Sequence, residues 1–512
     1  MKILLVGIYD TNTVSLAPQI LSGLAKNSPA AATHEIRTRE FSLFADSADF
    51  ITASIREANP DVVGFSCYIW NYSLIKQITP QLDCTIILGG PQVTGIEKEI
   101  LQAHPEIDLI VTGEGEQTFL ELLEYFAGKK ALADIPGITT ADLHNPPQQL
   151  FDLDTIPPLY TEIFQRHPDL TWVSFETSRG CPMGCGYCTW GRSRTMRYYP
   201  LEYVLSELAI ILHNPRIREI YLCDSSLLYN KARAKKILDL IIRSGADKTI
   251  RYEFSPEQLD DEIIARMAQL PSNEFNFGIQ TINPSALAQV GRPFDRQRFE
   301  RNYQKLLQAM PAARITVDLI YGLPGDDIHG YLGSMNYAMS LPGVSRILTN
   351  PLIVLPGSRF FRDRDRYGIV LANDDSFLLK ANSTFTQPQM TDARRYSFYV
   401  NLLFLNTAFK NALLTLAAET HTKPADCMID FFETMPFELV QGEYPCTIPS
   451  SQEGFAERNR VLGAVLQRFP DIIDAFKEYS DHRYDSMLDN FAQCFTGQYH
   501  KYMSYAAATA NN

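Results

Sequence analysis

Three cysteines carry the most distinctive chemistry in this chain. They lie in the run Cys181-Pro-Met-Gly-Cys185-Gly-Tyr-Cys188. Thiolates are strong ligands for iron, and a short loop containing Gly184 and Gly186 can turn three sulfurs onto one face of a [4Fe–4S] cube. Three protein ligands leave one iron open to a small molecule. Two other arrangements fit the same residues: buried unligated thiols, or a zinc site without its fourth ligand. Structural zinc usually takes a second Cys or His pair, which the sequence does not show. The other six cysteines (Cys67, Cys84, Cys223, Cys427, Cys446 and Cys494) are scattered, and the total of nine is odd. This pattern suggests metal ligation in a reducing compartment rather than a disulfide framework.

The loop follows a strand-like segment, Trp172 to Glu176, the first of six. The others are Glu219 to Cys223, Tyr252 to Phe254, Phe275 to Gln280, Ile315 to Ile320 and Arg346 to Pro351. Helical patterns such as Leu201 to Leu212 and Lys231 to Ile242 separate them, so a partial or full parallel (β/α) barrel is expected. Ahead of it, Ile3 to Val6, Val62 to Phe65, Ile86 to Leu88 and Leu109 to Val111 read as buried strands of a doubly wound, Rossmann-like parallel sheet. Ligands in such sheets sit outside the strands' carboxyl ends. The loops there are Gly7 to Thr13, Ser66 to Asn71, Gly89-Gly90-Pro91-Gln92 and Gly113-Glu114-Gly115-Glu116.

A Pro-rich stretch around Pro146-Pro147 and Pro157-Pro158 reads as a linker. After about Asp374 the βα rhythm stops. A mostly helical region is expected, with one helix from Arg394 to about Leu416 and frayed ends at Ala506 to Asn512. The α/β chain therefore divides into 1–145, 146–375 and 376–512. Tyr396, Phe398, Tyr399, Phe404 and Phe409 suit an apolar core or an apolar substrate pocket, and core is favoured.

The chain has 512 residues, of which 45% are hydrophobic and 21% charged, and a net charge of −13. This is ordinary globular composition, long enough for about three domains. The acidic balance argues against nucleic acid as a partner. No stretch reaches the ~18 apolar residues that span a bilayer, so the expected location is cytoplasmic, with no membrane partner.

Glu176-Thr-Ser-Arg-Gly-Cys-Pro-Met-Gly-Cys-Gly-Tyr-Cys188 resembles the cluster loop of the radical S-adenosylmethionine (SAM) superfamily throughout. Gly64-Phe-Ser-Cys-Tyr-Ile-Trp-Asn71, Leu88-Gly-Gly-Pro-Gln92 and Thr112-Gly-Glu-Gly-Glu-Gln-Thr-Phe119 look like the three loops of the cobalamin-binding domain that precedes many such cores. The likeness covers roughly residues 1–370. It implies that Cys181, Cys185 and Cys188 hold a [4Fe–4S] cluster whose open iron is chelated by SAM. Reductive cleavage of SAM then gives a 5′-deoxyadenosyl radical. It places Tyr187, Asp224, Ser225, Glu253 and Gln280 around SAM. Around cobalamin it places Ser66, Tyr68, Trp70, Asn71, Gly89, Gly90, Pro91, Gly113, Glu114 and Gly115. Later segments, Phe277-Gly-Ile-Gln280 and Asp318-Leu-Ile-Tyr-Gly-Leu-Pro-Gly325, resemble strands that face SAM or substrate. No further catalytic residue is assigned.

The implied activity is methylation of an unactivated carbon of a small molecule or peptide, through methylcobalamin and the deoxyadenosyl radical. The alternatives are a cyclase or rearrangement enzyme on the same cofactors, or a non-catalytic cobalamin or cluster sensor. An electron donor such as flavodoxin or ferredoxin is implied as a partner. One departure stands out: Asp10-Thr-Asn-Thr-Val-Ser15 lacks the histidine that ligates cobalt in mutase-type cobalamin proteins, and His34 and His104 lie elsewhere.

Overall fold

The computed structural model describes residues 1–9, 12–147, 150–191, 194–271, 274–372, 375–404, 406–435, 468–481, 483–484 and 488. Asp10, Thr11 and the segment Ala506 to Asn512 lie outside the described residues.

The chain forms two compact units. The first comprises Met1–Phe254, Gln258–Ser272 and Leu355–Arg362. It opens with a six-stranded sheet: β1 (Lys2–Tyr9), β2 (Glu35–Ser42), β3 (Val62–Ser66), β4 (Thr85–Gly89), β5 (Leu109–Val111) and β6 (Ile138–Thr139). The order is β2-β1-β3-β4-β5-β6, and only β6 runs antiparallel. Helices cover both faces of such a sheet, so central strands read as nearly unbroken apolar runs; β1 is buried from Ile3 to Ile8. The four strands expected from sequence are all present. β2 was not among them because Glu-Ile-Arg-Thr-Arg-Glu-Phe-Ser is mostly polar, as an edge strand buried only at its end permits. Order reverses between β1 and β3, which makes their carboxyl ends the switch point where ligands bind.

The same unit holds a parallel sheet of β7 (Trp172–Phe175), β10 (Glu219–Leu222) and β11 (Thr249–Tyr252), in the order β11-β10-β7. Between β7 and β10, the antiparallel pair β8 (Ser178–Arg179) and β9 (Arg197–Tyr198) brackets the cysteine loop. The third strand of the core runs Thr249–Tyr252 rather than Tyr252 to Phe254, so Glu253 stands just past its end. The pattern was obscured because Arg251 points to solvent beside Glu219.

The second unit comprises Ser255–Glu257, Asn273–Val354 and Asp363–Asn512. Its sheet is β12 (Glu274–Gln280), β13 (Arg314–Tyr321) and β14 (Val344–Pro351), all parallel. The six core strands thus form two three-stranded sheets rather than a closed barrel: among the described residues β11 and β12 are not paired. Alternation is strict in β13, where Ile315, Val317, Leu319 and Tyr321 are buried. The tail is helical, but the helix expected from Arg394 to Leu416 is two, Gln387–Leu403 and Thr407–Glu419. The break is local: the Asn406 side chain accepts from Phe409 N and caps the second helix. Tyr399 and Phe409 are core residues packed with Phe431, Phe432 and Phe476, while Tyr396, Phe398 and Phe404 are half-buried. No single helix among the described residues is long and apolar enough to cross a membrane.

Candidate functional site

The cysteine loop is built around a buried carboxylate. Asp224, 1% exposed, accepts hydrogen bonds from Thr177 N at 2.9 Å, Thr177 Oγ1 at 2.6 Å, Ser178 N at 2.6 Å and Ser178 Oγ at 2.9 Å. It follows β10, and the residues it grips follow neighbouring β7, so it fixes the chain as it enters the loop. Burial raises its pKa, and the four bonds oppose that shift. Ser225 donates to Gly180 O at 2.6 Å, one residue before Cys181. Cys188 N donates to Cys185 O at 3.1 Å, closing the turn that carries the last thiol.

The loop is packed too closely for side chains at its glycines. A Cβ on Gly184 would stand 2.5 Å from the Arg194 guanidinium, and one on Gly191 would stand 2.1 Å from Met183 O. Cys181, Cys185 and Cys188 are half-buried thiols that form no disulfide, and burial raises the pKa of Cys188. No three His, Cys, Asp or Glu side chains among the described residues converge as a single metal ion requires. A cluster asks for something else: each thiolate on its own iron, spread over one face of a cube. Three thiols on one tightly turned loop fit that group and would leave one iron for SAM.

The loops expected to hold cobalamin lie at the carboxyl edge of the six-stranded sheet. Asn71, 1% exposed, donates to Ile8 O and Ser66 O and accepts from Tyr68 N, and so clamps the ends of β1 and β3. Tyr68 and Trp70 stack with centroids 4.5 Å apart, and Tyr9 and Trp172 continue the aromatic group. Gly90 has φ +118°, and a Cβ there would meet Cys67 O at 2.4 Å. Gly89, by contrast, would meet nothing closer than 3.8 Å. Two polar atoms at this edge, Trp70 Nε1 and Thr13 Oγ1, are buried without a partner. Open glycine backbone, an aromatic wall and unpaired buried donors suit a large, partly apolar ligand with polar substituents. Pro91 and Gly115 lie on the same edge.

Sequence reasoning missed what joins these two sites. Arg179, two residues before Cys181, bonds Glu116 at 2.6 Å and Glu176 at 2.9 Å, with Glu114 at 3.9 Å. Arg197 pairs with Glu114, Phe151 N donates to Glu114, and Tyr199 donates to Glu176 at 2.7 Å. Burial alone would weaken the charge on Arg179; Glu176 and Glu116 outweigh it and keep the guanidinium protonated. Gly113, at φ +81°, turns the loop so that Glu114 and Glu116 face this network. The carboxylates were visible in the motif, but their partners lie 63 and 83 residues away. Tyr187 and Glu253 belong to the first unit with the cysteines, whereas Gln280, at φ +67° on a bulge at the end of β12, belongs to the second.

Residues 17–123 match the B12 binding domain family and residues 175–338 the radical SAM superfamily. A 2-(S-pantetheinyl)-carbapenam-3-carboxylate methyltransferase of Streptantibioticus cattleyicolor is 26% identical over 353 residues, 63% of this chain and 51% of that one. The chain spans about half the length of the curated relatives it matches. The cobalamin-dependent SAM radical enzyme OxsB, solved with aqua-cobalamin and SAM, superposes with a TM-score of 0.64 at 13% identity, over 99% of this chain and 83% of that one. The radical SAM methyltransferase TsrM from Kitasatospora setae, solved with cobalamin and a [4Fe–4S] cluster, superposes with a TM-score of 0.56 at 17% identity, over 70% and 74%. These likenesses show the fold. The chain thus carries a B12 binding domain ahead of a radical SAM domain on one polypeptide, the domain arrangement of the cobalamin-dependent radical SAM enzymes.

Proposed function

We propose that this protein is a methyltransferase that adds a methyl group to an unactivated carbon of a small molecule or peptide. The observation that carries the reading is the Arg179 and Arg197 network, which ties the third cobalamin loop to the strand pair bracketing the cysteines within one compact unit. Methyl transfer through two cofactors needs their sites held in fixed register. When bound, cluster and SAM supply a radical initiator and cobalamin a methyl carrier; the protein's share is geometry and exclusion of water.

Cys181, Cys185 and Cys188 hold the cluster. Tyr187, Ser225, Glu253 and Gln280 serve SAM, and Asp224 serves it chiefly by fixing the loop. The Tyr68 and Trp70 pair, with Gly89 and Gly90, forms the bed for cobalamin. The methyltransferase name of the carbapenam relative supports the reaction type. A reducing protein such as flavodoxin or ferredoxin completes the cycle.

The test is anaerobic turnover with candidate substrates. Methylation yields S-adenosylhomocysteine together with 5′-deoxyadenosine, and a product heavier by one CH2. Deoxyadenosine without S-adenosylhomocysteine would instead establish cyclisation or rearrangement.

A further inference from the structure

The first unit contains one segment from far along the chain. Leu355–Arg362 follows β14 yet packs with the residues of the first unit. It touches both cofactor regions. Phe360 N donates to Gly186 O at 2.8 Å, and the ring, fully buried, covers Gly186 between Cys185 and Cys188. A Cβ on Gly186 would stand 2.5, 2.7 and 2.8 Å from three atoms of that ring. Three residues earlier, Gly357 at φ +74° meets Gly95 at φ +96°, where a Cβ on Gly95 would stand 2.9 Å from Gly357 N. Gly95 ends the turn that follows Gly89 and Gly90, and Thr94 Oγ1 donates back to Gly90 O at 2.9 Å.

The segment is internally braced. Ser358, 1% exposed, donates through its N to Leu355 O at 3.0 Å, and Arg362 donates to Gly357 O at 2.9 Å. Two close approaches leave no room for a Cβ, one at each site: the Phe360 ring lies on Gly186, and the Gly357 backbone lies on Gly95.

We propose that Leu355–Arg362 is a positioning strap, in which Phe360 holds the cysteine loop in its cluster-bearing shape and Gly357 holds the turn behind Gly89 and Gly90 in its cobalamin-bearing shape. The proposal rests on the assignment of the cluster to the three cysteines. Phe360 acts on the loop through Gly186. A mispositioned loop still takes up iron but releases it more readily, because positioning partners govern how firmly ligands hold a metal.

The experiment uses the full chain, reconstituted anaerobically, and follows iron removal by bathophenanthroline well below the unfolding temperature. Phe360→Ala should load iron to the wild-type level and lose it about tenfold faster. Phe360→Leu should restore most of the difference. Gly186→Ala should also speed the loss, and combining it with Phe360→Leu, which makes room for the new methyl, should slow it again. That compensation is not expected of general destabilisation, and the Gly186 pair carries the test if Phe360→Ala fails to fold. Gly357→Val should raise the dissociation constant for aqua-cobalamin about tenfold and leave iron release near the wild-type rate. The strap is overturned if wild type holds the cluster and Phe360→Ala and Gly186→Ala release iron at its rate, or if Gly357→Val binds cobalamin normally. A wild-type chain that takes no iron, or a Cys185→Ala chain that keeps a complete cluster, would overturn the cysteine assignment and the strap with it.

Discussion

The two three-stranded sheets solve the same problem with different consequences. Each places a fully buried aspartate just beyond a strand, and each aspartate grips the loop leaving the neighbouring strand. Asp224 grips Thr177 and Ser178 after β7; Asp326, also 1% exposed, accepts from Thr281 Oγ1, Asn283 Nδ2 and Asp327 N after β12 and β13. In the first sheet the gripped segment runs into the three cysteines. In the second it runs into the helix Pro284–Val290, whose cap is Asn283 itself. One anchor therefore underlies the loop proposed to hold the cluster and the other a helix start. Nothing about the aspartates themselves separates them; the difference lies in the segment each one anchors.

The largest effect that would sharpen this contrast is removal of a ligand. Cys185→Ala should abolish 5′-deoxyadenosine formation and leave the unfolding temperature almost unchanged, since it removes one half-buried thiol from a surface loop. Deoxyadenosine at the wild-type rate would mean the loop does not hold the cluster.

Next come the anchors. Asp224→Ala and Asp326→Ala each strand buried donors, at a cost of about 2–4 kcal/mol, readable in denaturant unfolding. Only Asp224→Ala should also lower the iron bound per chain. Equal iron loss in both variants would break the comparison.

A smaller effect lies in pH. Burial raises the Asp326 pKa from its ordinary 3.8 to about 6, with the Asn283 hydrogen bond opposing. The folded chain therefore keeps a proton that the unfolded chain has released. This contribution to stability is complete below pH 3.8 and is lost as pH rises towards about 6. The stability of wild type relative to Asp326→Asn should decline across that window, by no more than about 3 kcal/mol. A flat difference would place the carboxyl in an ordinary, solvated setting.

The smallest expected effect is an absent one. His34 precedes β2 and bonds Leu123 O, and His104 follows the helix Glu97–Ala103 and pairs with Glu106. Both lie at the amino-terminal side of the parallel strands, away from the cobalamin loops. Cobalt(II) cobalamin bound to the protein should therefore show an electron paramagnetic resonance spectrum whose axial splitting is unchanged in protein grown on nitrogen-15. A triplet that becomes a doublet on labelling would reveal a protein nitrogen on the cobalt.

Sequence alone determined the parts whose signal is local. The CxxxCxxC spacing, the glycines that let the loop turn, and the buried runs of β1, β3, β4 and β5 all depend on neighbours within a few residues, so they can be read from the chain in order. Elements with weak local signal escaped: β2 is a polar edge strand, and one Asn cap divides a helix that composition alone would continue. What only the tertiary structure decided is which distant residues meet. Arg179 finds Glu116, Asp224 finds Thr177 and Ser178, and Phe360 covers Gly186, each across 46 to 174 residues of chain. Charged and aromatic side chains of these kinds are common on any surface, and burial selects among them: inside the fold a polar group left unpaired is costly, so only the pairings that satisfy one another persist.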